Sequence, residues 1–229
     1  MEAVKTAITY RYEEDACNRV IYSESHDEVA NGKARVPQEI NNDDPTGWHA
    51  QKRSTLAAGL LFTSPGIPMI FQGQEFLQGE WFRDNVPLDW HMNEEYHGVA
   101  RMYRDLIWLR LNRDGVSRGL CGQNVAVTHV NDQQNMIAFQ RWDQHGDGDD
   151  VMVIANCGYE VKEGYRIGMP QSGEWKLRFN SDASIYSDDF QNTLSTHLTA
   201  TDDAQDGLPA SAEVTIAPYS VLIYSRDPS

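Results

Sequence analysis

The sequence has few cysteines and no long apolar run. Cys17, Cys121 and Cys157 are an odd number with no Cys-x-x-Cys pair, which argues against a disulfide framework and a cysteine-based zinc site. No segment approaches the ~20 consecutive apolar residues that a membrane-spanning helix needs. The charges in Met1–Thr6 are not followed by the apolar run of a signal peptide. These absences predict a reducing, cytoplasmic setting.

Positive charge is also scarce. Lys and Arg together number 19 against 34 Asp and Glu, which gives a formal net charge of −15 over 229 residues. Nucleic acids and anionic membranes are bound through clustered cations, so neither is an expected partner. The negative net charge is compatible with a neutral or a cationic ligand. The length allows one large domain or two smaller ones.

The stretch Val20–Glu28 stands out among the residues that are present. It starts as a β-branched and aromatic run, which favours a strand, and ends in Glu24, His26, Asp27 and Glu28. Barrels of alternating strands and helices carry their chemistry at the carboxyl ends of their strands. The polar residues at the carboxyl end of this stretch are therefore candidates for an active site. The alternative is an edge strand that runs into a polar turn.

A second strand of the same kind follows a helix. Trp48–Thr63 has an apolar stripe typical of a helix, and Ile67–Phe71 is a continuous apolar run with Pro68 near its start. Polar residues come directly after it. A strand, a helix and a strand in this order predict a parallel sheet.

The rest of the first half predicts one further helix and two loops. Glu94–Asn112 has the clearest helical stripe, with Glu94 and Glu95 in its first turn. We expect long polar loops at Arg35–Pro45 and Gly79–Met92. The second carries Trp81, an aromatic ring beside carboxylates that suits a sugar-binding surface. The alternative is that the loop's aromatic rings are buried beneath it.

The second half consists of short strands separated by turn residues, which predicts an antiparallel β-sandwich. The expected strands are Asn124–Val130, Met136–Trp142, Val151–Asn156, Trp175–Asn180, Val214–Ile216 and Ser220–Ser225. The acidic run between residues 143 and 150 suggests calcium, but it lacks the ligand spacing of an EF-hand, so a solvated hairpin loop is expected.

Several motifs in order resemble one family. They are Ser25-His26-Asp27-Glu28-Val29 followed by Gly32-Lys33, the segment Pro65–Phe76, Pro87-Leu88-Asp89-Trp90, and Ala217–Leu222. Together they resemble the α-amylase superfamily (glycoside hydrolase family 13), and within it most nearly the 1,4-α-glucan (glycogen) branching enzymes. The matched motifs belong to the C-terminal portion of those enzymes.

The resemblance implies a fold class of α/β plus all-β. Residues 1–113 would form the C-terminal quarter of a (β/α)8 TIM barrel, and residues 114–229 an antiparallel β-sandwich. The seventh barrel strand would be Ile21–Glu24, and the seventh helix Trp48–Thr63. The eighth strand would be Met69–Phe71, and the eighth helix Glu94–Asn112.

The resemblance also implies site residues. Asp27 matches the family's third catalytic carboxylate, which holds sugar hydroxyls and stabilises the oxocarbenium-like transition state. His26 matches the neighbouring hydrogen-bond donor, and Glu28, Lys33 and Gln74 match groups at or behind the rim of the glucan site. Trp81 completes the predicted substrate-binding set. No metal, nucleotide or flavin cofactor is implied.

A retaining enzyme of this kind needs a nucleophile and a separate acid/base carboxylate. In the family these lie at the ends of the fourth and fifth barrel strands, which the matched motifs do not include. We therefore expect this chain alone to be inactive. The substrate would be an α-glucan, glycogen or a maltooligosaccharide. Open strand edges predict self-association or docking with the N-terminal barrel portion.

Two alternatives for function remain open. An α-amylase-type hydrolase would pass the α-1,4-glucan to water, whereas a branching enzyme passes it to a 6-hydroxyl. A non-catalytic carbohydrate-binding module, based on the sandwich, belongs to a different class.

Overall fold

The computed structural model describes residues 1–30, 32–191 and 193–228. Asn31, part of an Asn-Gly turn signal in the sequence, lies outside these ranges. The helices are α1 (Glu2–Thr9), α2 (His26–Ala30), α3 (Val36–Ile40), α4 (Trp48–Thr63), α5 (Trp90–Glu95) and α6 (His97–Arg110). The strands are β1 (Val20–Ile21), β2 (Ile67–Pro68), β3 (Asn124–Asn131), β4 (Met136–Trp142), β5 (Val151–Asn156), β6 (Lys162–Met169), β7 (Gly173–Asn180), β8 (Leu198–Ala200), β9 (Ala210–Ile216) and β10 (Ser220–Ser225).

Strands β1 and β2 pair in parallel, with α4 between them in the chain. The predicted parallel pairing and the helix Trp48–Thr63 are confirmed. Ladder bonds run from Ile67 N to Arg19 O and from Met69 N to Ile21 O, both 2.8 Å. Pro68 lies between these two donors, so its missing N–H leaves no gap in the ladder.

The strands occupy different residues from those predicted. Regular pairing stops at Ile21 and Pro68, so of the predicted strand Ile21–Glu24 only Ile21 is in β1, and the predicted strand Met69–Phe71 lies just after β2. The backbone N–H of Phe71 donates to Gln74 Oε1 at 3.2 Å instead of to a strand. At Phe71, where a longer strand was expected, the backbone N–H is therefore satisfied by a side chain of the following polar loop.

The helices also correct two predictions. The segment Arg35–Pro45, expected as a loop, contains α3. The expected single helix Glu94–Asn112 is divided at Tyr96, whose backbone is not helical, and α5 begins with its own cap because Asp89 accepts from His91 N at 3.1 Å. Glu94 and Glu95 therefore end α5 and do not start the long helix.

The second half of the described chain is antiparallel, as predicted. One sheet has the order β3-β4-β5-β10-β7-β8, and β6 pairs with β9 in another. The predicted strands Met136–Trp142, Val151–Asn156 and Ser220–Ser225 have the expected bounds. Sequence reasoning missed β6 and β8.

The larger sheet is covered on both faces. One face packs against the helices, where Val221 and Ile223 join a core that includes Leu56 and Met102. The other face packs against the β6–β9 sheet, where Leu222 and Tyr224 join a core around Trp175. Because helices and sheet share the first core, the predicted regions 1–113 and 114–229 are in close contact. Their division at residue 113 stays a prediction.

Buried polar contacts fasten α4 to the larger sheet and its loops. Lys52 Nζ donates to Asp182 Oδ1 at 2.6 Å and to Ser220 Oγ at 2.9 Å, and both charged side chains are buried. Arg141 of β4 donates to the carbonyls of Thr63, Gly122 and Asn124. Such buried groups require these partners, so they fix how the helices sit on the sheet.

Cys17, Cys121 and Cys157 are free thiols. Across the described ranges, none of the helices is long and apolar enough to cross a bilayer.

Candidate functional site

The ends of β1 and β2 are joined by a buried ion pair. Arg35 Nη1 lies 3.1 Å from Glu24 Oε2 and donates to Gln72 O at 2.9 Å, and the backbone N–H of Val36 donates to Glu24 Oε1 at 3.0 Å. Both charged side chains are 2 % exposed. Burial raises the pKa of Glu24, and Arg35 and the Val36 N–H oppose that shift. The Arg35 guanidinium also lies 4.3 Å above the Phe71 ring.

Glu24 is therefore buried beneath the surface, where it holds Arg35 and Val36 in place, and it is not exposed to a ligand. Sequence reasoning placed it with His26, Asp27 and Glu28 and did not find Arg35. A buried carboxylate needs a cationic or hydrogen-bonding partner, but no local signal indicates which arginine supplies it.

Gln74 is buried beside the same strand ends. Its Nε2 donates to Ser23 Oγ at 2.5 Å, and its Oε1 accepts from Phe71 N. It also hydrogen-bonds to Tyr103, whose pKa is raised mainly by burial. These contacts bind Gln74 to Ser23, which lies four residues before Asp27 in the chain, and they place the Gln74 amide inside the protein.

His26, Asp27 and Glu28 lie on the short helix α2. Ser25 precedes the helix, and Ser25 Oγ accepts from Glu28 N at 3.4 Å while Val29 N donates to Ser25 O at 3.1 Å. A serine followed three residues later by a glutamate is the pattern of a helix-capping box. This signal was available in the sequence and predicts a helix where we expected the approach to a turn.

The side chains of His26 and Asp27 face solvent, whereas Val29 on the opposite side of α2 is buried. His26 and Asp27 are 66 % and 79 % exposed, with His26 Nε2 3.2 Å from Asp27 Oδ1. Lys33 Nζ donates to Glu28 Oε1 at 3.3 Å, which joins two of the predicted substrate-binding residues. The arrangement offers an open row of carboxylates, an imidazole and an ammonium group that can hydrogen-bond to hydroxyls.

Replacing Ser25 by Ala removes the side-chain cap of α2. We expect a loss of about 1 kcal/mol in the free energy of unfolding, and faster amide exchange in residues 26–30. Hydrogen exchange followed by mass spectrometry measures both the local and the global effect. Ser25→Thr keeps the hydroxyl and is the matched control. Unchanged exchange in Ser25→Ala would show that α2 does not depend on its cap.

Trp81 is 54 % exposed, so the alternative in which it is buried beneath the loop is wrong for this ring. Its loop is anchored by Phe82, which packs edge-on against Phe71 at 5.3 Å, and by Glu80 N, which donates to Gln38 Oε1 at 3.0 Å. Trp81 borders a narrow crevice of about 40 Å³ together with Arg35. Arg35 of the buried ion pair and the exposed Trp81 indole therefore line the same crevice.

The acidic run between residues 143 and 150 forms the expected hairpin turn, but the expectation that it is solvated is wrong for Asp149 and Asp150, which are buried. Asp149 accepts hydrogen bonds from Asp143 N and Gln144 N, and Asp150 accepts from Gly146 N and His145 Nδ1. The described residues contain no group of three or more His, Cys, Asp or Glu side chains that could hold a metal ion.

The fold of the second half is that of a known class of domain. Residues 127–227 match the family model "Alpha amylase, C-terminal all-beta domain". This match confirms the resemblance to the α-amylase superfamily, and the identity to named relatives confirms the resemblance to its branching enzymes.

Named relatives support the same assignment. The chain is 33 % identical over 224 residues to a 1,4-alpha-glucan branching enzyme of Shewanella sp. (strain W3-18-1), covering 95 % of this chain and 28 % of that protein. It is 33 % identical over 184 residues to one from Xanthomonas euvesicatoria pv. vesicatoria (strain 85-10), covering 79 % of this chain and 24 % of that protein. The chain thus spans about a quarter of the length of these relatives.

Solved structures show the same fold. A type I pullulanase from Bacillus subtilis, complexed with maltose, superposes with a TM-score of 0.68 at 17 % identity, covering 99 % of this chain and 31 % of that one. An alpha-amylase from H. orenii gives a TM-score of 0.58 at 17 % identity, covering 91 % of this chain and 40 % of that one.

Proposed function

We propose that this chain is the C-terminal portion of an α-glucan branching enzyme, which transfers an α-1,4-glucan chain to a 6-hydroxyl. The observation that carries the proposal is the 33 % identity to branching enzymes over 224 residues. The substrate would be glycogen or a maltooligosaccharide in the cytoplasm.

In this proposal Asp27 stabilises the transition state. Its carboxylate is exposed on α2 next to His26, so both can reach a sugar ring that approaches from solvent. Charge that develops on the ring strengthens hydrogen bonds and electrostatic contacts to such groups. Glu28 and Lys33 would contact more distant hydroxyls, and Trp81 would pack on a pyranose face.

The resemblance allows Gln74 to lie at the rim of the glucan site or behind it, and the proposal places it behind the rim. Because its amide is bonded to Ser23 and Phe71, it supports the loop in front of α2. Gln74 would therefore not contact the glucan; it would act indirectly, by fixing the position of the segment Ser23–Asp27.

We further propose that β1, α4, β2 and α6 are the last quarter of a (β/α)8 barrel. The outer edge of β1 borders an apolar groove of about 710 Å³ with α1 and α4, in which Val20 is 50 % exposed. A second groove of about 420 Å³ lies between Ile70 and the α6 residues Ile107 and Trp108. Open strand edges and apolar grooves favour association. An N-terminal barrel portion docked at the two grooves would cover these apolar surfaces, and self-association would cover the same surfaces.

The test compares the isolated chain with a chimera. In the chimera this chain replaces the segment that it matches in the Shewanella branching enzyme. We expect the isolated chain to be inactive, because the carboxylates required for a retaining reaction would come from the other portion. The chimera should branch amylose, seen as a lower iodine absorbance without release of reducing ends.

Two results would contradict the proposal. Glucan transfer by the isolated chain would show that it contains its own nucleophile and acid/base pair. Release of reducing ends by the chimera, with no new branch points, would favour the hydrolase alternative. The unmodified Shewanella enzyme is the control for both assays.

A further inference from the structure

The short helix α3 follows α2 in the chain and contacts the loop that carries Trp81. It therefore joins the two parts of the proposed glucan site, Asp27 on α2 and the exposed indole. Contacts that fix α3 on one side and the loop on the other limit how far the Trp81 ring can move from Asp27.

The start of α3 is fixed against the ends of the strands. Arg35, the residue before the helix, has its guanidinium on Glu24 Oε2 and on Gln72 O, which follow β1 and β2. The backbone N–H of Val36, the first residue of α3, donates to the other oxygen of the same carboxylate at 3.0 Å. Pro37 in the first turn is buried, and its ring restricts φ to helical values. The helix is therefore held in one place relative to β1 and β2.

A side chain of α3 in turn holds the loop. Gln38 Oε1 accepts a hydrogen bond from the backbone N–H of Glu80 at 3.0 Å, and Glu80 directly precedes Trp81. The φ angle of Glu80 is +67°, in the left-handed region that residues with a side chain rarely adopt. Such a conformation persists only where the surrounding contacts hold it. The bond to Gln38 is a contact of this kind, made at the residue next to the indole.

The residue after Trp81 is held from the same direction. Phe82 packs edge-on against the Phe71 ring at 5.3 Å, and the Arg35 guanidinium lies 4.3 Å from the centre of that ring. The Trp81 ring between these anchors is 54 % exposed. Its position therefore depends on its two neighbours in the chain more than on its own burial.

We propose that Gln38 is a positioning residue, which holds the Trp81 indole at a fixed place relative to Asp27 and so prepares the site for the α-glucan. This inference rests on the proposed function, in which Trp81 packs on a pyranose face and Asp27 stabilises the reacting ring. Without the bond from Glu80, the loop adopts several conformations, and only some of them place the indole against the sugar. The apparent affinity for the glucan then falls with the fraction of molecules in the competent conformation.

Steady-state kinetics of the chimera test this role. Gln38→Met keeps the length and the helix propensity of the side chain but removes the acceptor oxygen, and Gln38 is only partly buried, so the fold should be retained. Losing one hydrogen bond should raise KM for amylose about fivefold. We expect kcat to stay within about twofold, because packing on the indole is similar in the ground state and the transition state. Gln133→Met, in the exposed turn between β3 and β4, is the matched control.

A double-mutant cycle shows whether Gln38 acts through the indole. In a Trp81→Ala background, Gln38→Met should cause no further rise in KM, since the group that it positions is absent. Equal rises in KM with and without the indole would overturn the proposal, because Gln38 would then act on another part of the protein. An unchanged KM in Gln38→Met alone would overturn it as well.

A second readout does not depend on activity and separates this inference from the proposed function. In the 229-residue chain, which has six tryptophans, the fluorescence of Trp81 is the difference between the parent and Trp81→Phe. Quenching of this fluorescence by acrylamide should increase in Gln38→Met and stay unchanged in Gln133→Met. If the chimera does not branch amylose, the proposed function is wrong, and increased quenching still supports Gln38 as the residue that positions the indole. Unchanged quenching in Gln38→Met would overturn the inference even if the chimera is active.

Discussion

Asp27→Asn should lower the branching rate of the chimera by about 10²–10³-fold, the usual effect of removing one group that stabilises transition-state charge. The amide has nearly the same shape as the carboxylate but no charge to oppose an oxocarbenium-like ring. Asp27 is 79 % exposed, so the substitution should leave the fold intact. Because the lost interaction forms mainly in the transition state, kcat should fall far more than KM rises.

Glu28→Gln is the matched control for this experiment, since it neutralises a second carboxylate on the same helix. It should have a much smaller effect on kcat, because we place Glu28 at more distant hydroxyls. If Glu28→Gln were the more damaging change, the two roles would have to be exchanged. Thermal denaturation of both chimeras shows whether either variant has lost stability instead of catalysis.

Lys52→Met should lower the free energy of unfolding by about 3–5 kcal/mol, the range for breaking a buried ion pair by removing one partner. Lys52 is fully buried, and besides Asp182 and Ser220 it faces the Phe190 ring at 4.8 Å. The substitution leaves the Asp182 carboxylate buried beside an apolar side chain. Chemical denaturation of the 229-residue chain measures the loss.

Two further variants separate the ion pair from general effects of the substitution. Lys52→Met/Asp182→Asn should recover part of the loss, because the neutral amide is less costly to bury than an unpaired carboxylate. Lys5→Met breaks a surface pair with Glu2, whose side chains are 42 % and 68 % exposed, and should change stability little. Equal losses in Lys52→Met and Lys5→Met would contradict a special role for the buried pair.

The sequence predicted the elements whose signals are long and local. Trp48–Thr63 has several turns of apolar stripe, and Met136–Trp142, Val151–Asn156 and Ser220–Ser225 are apolar runs bounded by polar residues. It did not predict β6, because Lys162–Met169 is mostly exposed over its first half and contains two glycines. The first half of β6 therefore lacks the buried apolar positions that give a half-buried strand its alternating pattern.

The candidate site was predictable only in part. The motif around Asp27 identified the exposed side chains, and the capping pattern of Ser25 and Glu28 could have placed them on a helix. The pairing of Glu24 with Arg35 could not be derived, since it depends on how a loop returns over the strand ends. The burial of Gln74 likewise depends on Ser23, which is 51 residues away in the sequence.

The position of β10 in the larger sheet affects how the protein can fold during its synthesis. Within the described chain β10 is the last strand to be made, yet it lies between β5 and β7 and contributes to the cores on both faces. Until residue 225 has left the ribosome, β3-β4-β5 and β7-β8 have no common partner strand. At about 5–20 residues per second of translation, apolar faces of both pieces stay exposed for seconds. We expect the nascent chain to depend on chaperones during that interval.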